Sequence, residues 1–160
     1  MTETQVAAPS AWDLAVRPGF LIRRLHQIHL AIFAEECGHL GITPVQFSIL
    51  SVAGAQPGLE QARLGHEVGV DRTTLANVVA RLESRTLLTR TQGAADRRLK
   101  HVTLTAEGHA VLEAMAEPAR RAHARTVESL IEPDRAVFLR SLAVLVAAGN
   151  QYGRAALRLA

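Results

Sequence analysis

Read for hydrophobic periodicity, the chain is helical almost throughout, with one interruption. From Pro18-Gly19 onward, Leu21, Leu25, Ile28 and Ile32 form one seam, and Ile22, His26, His29 and Phe33 form the seam beside it. Together they predict a helix apolar over a wide arc that ends near Gly38 and Gly41. A helix of this kind is buried on more than one side, either at the centre of the domain or against another chain. Thr43 then offers an N-cap with Pro44 at the first helical position. Val45, Ile49, Leu50 and Val52 turn inward, and Pro57-Gly58 stops that helix.

Two short helical units follow, 59–68 and 71–85, separated by Gly69-Val70. Asp71 caps the second, whose Leu75, Val78, Val79 and Leu82 recur at helical spacing. Arg72, Thr73, Ala76, Asn77 and Arg81 are thereby left on the other side. The period then changes. Residues 87–91 and 101–104 read as two strands, joined by a turn at 92–95 and the basic connection Asp96-Arg97-Arg98-Leu99-Lys100. A tight helix pair followed by a short basic hairpin is the sequence form of a winged helix-turn-helix. Helix resumes at Thr105, carries Val111, Leu112 and Met115, kinks at Pro118, and runs to Leu130. Residues 132–134 break it. In the last helix Phe138, Leu142, Leu145, Gly149, Tyr152, Ala156 and Leu159 recur at alternating three- and four-residue steps. Such a seam exceeds what one short core can cover, so it is expected to pack against a second subunit.

Composition narrows the class. The 160 residues are 48% hydrophobic and only 4% aromatic, so aliphatic side chains and alanine must fill the core. No apolar run is long enough for a membrane span, and the first residues lack the pattern of a secretory signal. A soluble, cytoplasmic protein without membrane partners is therefore expected. The single cysteine, Cys37, excludes an internal disulfide and argues against a cysteine-built metal site. The net charge of +3 identifies no partner by itself. Its distribution does more: residues 60–104 carry eight bases against five acids, while residues 1–59 carry three against four. A basic strip of that kind is an electrostatic footprint for nucleic acid.

The chemistry of the outward residues fits double-stranded DNA. A helix-turn-helix places its second helix in the major groove and braces it with the first. Arg72 can fork onto guanine, Asn77 can pair with adenine, and Thr73 can meet a base edge or a phosphate. Thr74 and Arg81 are placed for the DNA backbone. In the wing, Asp96 stands two residues before Arg98, so an extended segment would point both side chains to one side. The carboxylate could then aim the guanidinium into a narrow minor groove, with Arg97 and Lys100 supplying charge to phosphates. A solvated surface helix and an incidental Asp–Arg pair are the bland alternatives.

The stretch Gly41-Ile42-Thr43-Pro44-Val45-Gln46-Phe47-Ser48-Ile49-Leu50 resembles the second helix of the multiple-antibiotic-resistance regulator (MarR) family. Val70-Asp71-Arg72-Thr73-Thr74-Leu75 through Arg81-Leu82-Glu83 resembles its recognition helix. Asp96-Arg97-Arg98, followed by Val102-Thr103-Leu104-Thr105-Ala106-Glu107-Gly108, resembles its wing and exit. The likeness covers roughly residues 17–155, the wing being its most specific part. It implies a mostly α fold with a small β-hairpin wing, a winged helix-turn-helix between N- and C-terminal dimerisation helices. The implied division is a flexible arm at 1–16, a first dimerisation helix at 17–42, a DNA-binding lobe at 43–104 and dimerisation helices at 105–160. It further implies a homodimeric repressor on a palindromic operator, with Arg72, Thr73, Thr74 and Asn77 reading the groove and Arg98 and Asp96 in the wing. Thr86 departs from the glycine common there, which makes a left-handed helix end less expected.

The resemblance also implies release of DNA by a small, often aromatic, acid held between the dimer helices and the DNA-binding lobe. Arg17, Arg23 and Arg24 open the first helix, with His26 and His29 behind them. Arginine beside imidazole at the rim of an apolar cleft suits a carboxylated aromatic, so Arg17, Arg23, His26 and His29 are the candidate effector residues, for an aromatic carboxylate or a phenol. The competing reading makes the arginines surface groups and the histidines core residues. Switching by oxidation of Cys37, or by a metal on His26-x-x-His29, stands as an alternative, although Glu35 and Glu36 beside the thiol favour a packed, inert cysteine. No cofactor is called for. No phosphate loop, nucleophile elbow or catalytic carboxylate pair points to an enzyme. A protein-interaction module on the same fold is the remaining alternative, separable by the salt dependence of DNA affinity.

Overall fold

The computed structural model describes residues 13–153 together with Ala155 and Leu157. Residues 1–12 of the N-terminal arm, and Ala156 and Leu159 of the final seam, lie outside the described residues. The elements run α1 (Pro18–Cys37), α2 (Pro44–Ala55), β1 (Leu59–Glu60), α3 (Gln61–Val68), α4 (Arg72–Ser84), β2 (Leu88–Gln92), β3 (Lys100–Leu104), α5 (Ala106–Thr126) and α6 (Asp134–Gly149). Short 3₁₀ turns, Leu14–Val16, Gly38–Leu40 and Asn150–Tyr152, flank the outer helices, so the end of the arm is structured rather than loose.

Caps set the helix starts. Thr43 and Gln46 close a capping box on α2: the Gln46 amide donates to the Thr43 hydroxyl, and the Thr43 amide donates to Gln46 Oε1. Asp71 accepts the amides of Thr73 and Thr74 at the head of α4. Thr105 accepts from Gly108 at the head of α5. Between α3 and α4 the chain reverses at Gly69, whose φ of 66° is left-handed. At Gly65 a Cβ would stand 3.0 Å from the Leu75 side chain and 3.1 Å from the Val70 carbonyl, so glycine lets the two helices close on each other.

The sheet holds one strand that periodicity missed. Its order is β1-β3-β2, antiparallel, with Leu59 opposite Val102 and Glu60 opposite His101. Residues 59–60 are thus strand, not the start of a helix, because the returning wing strand supplies them with partners. The wing strands lie within one residue of expectation, with Leu88 opposite Leu104 and Gln92 opposite Lys100. The core lies beneath the lobe: Ile49, Leu50, Leu64, Val79, Leu82 and Val102 are wholly buried, and Phe33, Cys37 and Met115 extend it into the packing of α1 on α5.

Ion pairs fasten that packing. Glu36 accepts from Arg121 and Arg125, each at 2.8 Å, and Glu35 accepts from Arg125 at 2.8 Å. At the foot of α4, Arg85 donates to the Gly41 and Leu40 carbonyls at 2.6 and 3.1 Å, tying the recognition lobe to the α1–α2 corner.

Two helices end earlier than their apolar patterns extend. α5 continues through Pro118 but stops at Thr126, where Val127 leaves the helix at φ −121° and ψ 13°. α6 stops at Gly149, and Gly153 is extended after the final 3₁₀ turn. Its seam is therefore not a single helix to the terminus. Asn150 instead clamps Leu157 through both its amide and its carbonyl, at 2.8 and 2.6 Å. Leu157 in turn lies against Gly69, its Cδ1 3.3 Å from where a Cβ would stand, closer than ordinary van der Waals contact. α1 is not central either. Only Phe33 and Cys37 are buried on it, while Leu21, Ile22, Ile28 and Leu30 are 40–56% exposed, and α6 buries no residue at all.

Candidate nucleic-acid interface and ligand pocket

A groove of about 820 Å³ runs between the start of α4 and the wing. Arg72 lines it from the helix, and Asp96, Arg98 and Lys100 line it from the hairpin, so four of the candidate DNA residues meet there. Thr73, Asn77 and Arg81 are exposed on α4 outside its lining. The Thr74 hydroxyl donates to Asp71 Oδ2 at 2.7 Å, which leaves only its oxygen lone pairs for a partner. Arg97 donates to Gln92 across the hairpin at 3.3 Å.

Asp96 and Arg98 are together, but not by strand alternation. Residues 96–99 form a turn in which the Leu99 amide donates to the Asp96 carbonyl at 3.1 Å, so the segment is not extended. The Asp96 carboxylate accepts the Arg98 amide at 2.9 Å and lies 3.7 Å from its Nε. A carboxylate two residues before the amide it accepts is the usual way aspartate holds a turn. The Arg98 side chain is 94% exposed, a solvated guanidinium on a fixed backbone. On β2, Arg90 donates from Nε and Nη2 to Oε2 of Glu83 on α4 and from its backbone amide to Oε1, and it holds that carboxylate below the usual range. The recognition helix and the wing are thereby bolted together.

The second concavity, about 440 Å³, lies where α1 and α5 meet α2 and α3. Of the candidate effector residues only His29 lines it. Arg17, Arg23 and His26 do not. Twelve and six residues of helix place Arg17 and Arg23 about 18 and 9 Å from His29 along the axis. Arg23 instead lies over the Phe20 ring at 5.4 Å, and Arg24 donates to Gln27. What joins His29 is His123 of α5, stacked at 5.3 Å with ring planes 13° apart, with Phe33 and Phe47 tilted beside them. His123 escaped the sequence reading because its nearness to His29 exists only once α5 folds back on α1. Burial first, and then His123 and His26, lower the His29 pKa.

Cys37 is fully buried, and burial, with Glu36 adding to it, raises its thiol pKa despite Arg121. That is the environment of an inert thiol. Among the described residues no group of three or more His, Cys, Asp or Glu side chains is placed to hold a metal ion, and no helix is long and apolar enough to cross a membrane.

Comparison with known proteins gives the same picture. Residues 42–100 match the profile of the MarR family. The transcriptional repressor NicR of Pseudomonas putida is 30% identical over 142 residues, 89% of this chain and 90% of that protein. The transcriptional regulator PcaV of Streptomyces coelicolor, in a crystal structure with its natural ligand, superposes with a TM-score of 0.82 at 33% identity, over 88% of this chain and 99% of that one. BpsR of Bordetella bronchiseptica, whose DNA binding is regulated by 6-hydroxynicotinic acid, superposes with a TM-score of 0.78 at 29% identity, over 88% and 98%.

Proposed function

The chain belongs to the MarR family of transcriptional regulators, and from that premise we propose that it is a homodimeric repressor, released from a palindromic operator by a small aromatic carboxylate or phenol. The observation that supports DNA binding most directly is the groove that α4 and the wing share, flanked by Arg72 on one side and Arg98 and Lys100 on the other. In this reading Arg72, Thr73 and Asn77 read bases, Arg81, Arg97 and Lys100 meet phosphates, Thr74 joins them by turning its hydroxyl away from Asp71, and Arg98 enters the minor groove with its turn held by Asp96. Two copies related by a two-fold axis would present their recognition helices about one DNA turn, roughly 34 Å, apart. The exposed apolar faces of α1 and α6 are the surfaces that pairing would cover.

The pocket beside His29 is the effector site in this reading. The Bordetella relative, whose DNA binding responds to a pyridine carboxylic acid, supports that ligand class. A ligand wedged between α1–α5 and the lobe acts only through its differing affinity for the two lobe spacings. The test is fluorescence anisotropy on the DNA upstream of the protein's own gene, across a range of salt, with and without candidate acids. Affinity should fall steeply with salt, as counterion release demands, and should favour a palindrome over scrambled DNA. Binding indifferent to both salt and sequence overturns the assignment.

A further inference from the structure

The pocket contains an imidazole whose Nδ1 is hydrogen-bonded to a neighbouring hydroxyl. Thr126 has one hydroxyl proton, and it is donated to the Ala122 carbonyl at 2.8 Å. The same oxygen lies 2.9 Å from Nδ1 of His29, and with its proton given to Ala122 it accepts there. In that arrangement His29 carries its proton on Nδ1, and in the neutral ring Nε2 is then a bare lone pair. The other polar side chains of the lining are also acceptors. The Ser48 and Ser51 hydroxyls are donated back to the Pro44 and Phe47 carbonyls, at 3.1 and 2.8 Å. Glu67 brings a carboxylate from α3, with Arg63 at 3.7 Å. Apart from an N–H of His123, an anion entering the empty pocket meets lone pairs.

We propose that a ring-bearing carboxylate enters this pocket together with one proton, taken up from solvent at His29 Nε2, which turns that lone pair into a charged donor to the carboxylate. The proposal rests on the reading of this pocket as the effector site. The ligand remains a carboxylate, one N–H bond forms, and no other bond is made or broken. The stacked pair takes one proton rather than two, because two imidazolium rings at 5.3 Å repel. The titratable groups facing His29 are His26 on its own helix and His123 on α5, and both disfavour its charged form, as burial does. Glu67, across the pocket on α3, repels an anion and accepts a ring hydroxyl or ring N–H. The ligand thus lies with its carboxylate at the imidazoles and a donor toward Glu67.

The sign of the linkage follows. The empty pocket has a lowered His29 pKa and the filled one a raised one, so affinity is highest in acid and falls as pH rises between the two. The fall approaches about tenfold per pH unit. Calorimetric titration with benzoate, 4-hydroxybenzoate and 6-hydroxynicotinate, in buffers of different ionisation enthalpy, counts the protons. The expected result is uptake of about one proton at mildly alkaline pH, and its loss in His29→Gln. Imidazole nitrogen NMR of the ligand-free protein supplies an independent reading. It should find His29 in the Nδ1–H form, and Thr126→Val should release it to a mixture. Binding without proton uptake, or an Nε2–H tautomer in the ligand-free protein, overturns the proposal and leaves the effector site standing. If none of the three acids binds protein that still holds its operator, the effector reading falls and takes this inference with it.

Discussion

Thr86 is a residue whose local preference loses to its surroundings. A β-branched residue at φ 58° bears a steric cost of about 1–2 kcal/mol. It is held there because its amide donates to the Glu83 carbonyl at 2.9 Å and its own carbonyl accepts the Thr105 hydroxyl at 2.5 Å. Threonine by itself disfavours a left-handed helix end, and those two bonds override that preference. Thr86→Gly should stabilise the protein by about 1 kcal/mol, less the entropy glycine adds to the unfolded chain, with DNA affinity unchanged. A lower unfolding midpoint in urea would refute this. The wing and recognition helix are separable at the same scale. Arg98→Ala should weaken binding to every operator alike, whereas Asn77→Ala should cost about 1–3 kcal/mol on the preferred site and relax the choice of base. Binding measured against a set of single-base operator variants distinguishes them, and identical profiles would cancel the assigned roles. Residue chemistry of this kind was legible for Arg72 and Asn77 because helical periodicity puts them outward, and for Arg98 because it stands in the basic connection between two strands. The stacking of His123 on His29 was not, since their proximity depends on how two helices 94 positions apart come together.

Among the elements, α5 begins against the last turn before the wing, and one glycine makes that possible. A Cβ on Gly108 would stand 1.9 Å from the Leu87 carbonyl oxygen, which is backbone and cannot swing away. Gly108→Ala should therefore destabilise by about 3 kcal/mol or more, read as a large drop in melting temperature, with wing and helix separating together. α1 and α5 are joined by charge as well as packing. Arg121 and Arg125 hold the Glu36 carboxyl below its usual range, and Arg90 does the same for Glu83. Their folded pKa values lie below the unfolded one, near 4.5, so their contribution is full above that pH and is lost as pH falls through the depressed values. Melting curves taken into acid should show the wild type losing its margin over Glu36→Gln; a margin constant down to pH 3 would contradict it. The long helices α1, α2, α4, α5 and α6 were legible from apolar spacing, and both hairpin strands from the change of period. β1 was not, because two residues carry no period and become a strand only when Val102 and His101 arrive opposite them.

For the whole molecule, the exposed apolar residues mark the surface on which the proposed dimer would form. Val144 and Leu145 are 65% and 62% exposed on a helix with no buried residue, and burying such side chains is worth about 1.5–3 kcal/mol each. Leu145→Glu should convert a dimer into a monomer in sedimentation velocity and abolish binding to a full operator, while the melting of the lobe itself changes little. A stable dimer from that variant would remove α6 from the interface. The seam that pointed to a partner was right about exposure and overlong about helix, because spacing records which residues are apolar and not where the backbone turns. That turn has a mechanical result. The lobe is fixed to α1 and α5 at one end, and Leu157, held by Asn150, rests on it at Gly69. The end of the chain thus bears directly on the turn from which the recognition helix starts, so a shift after α6 is felt where α4 begins.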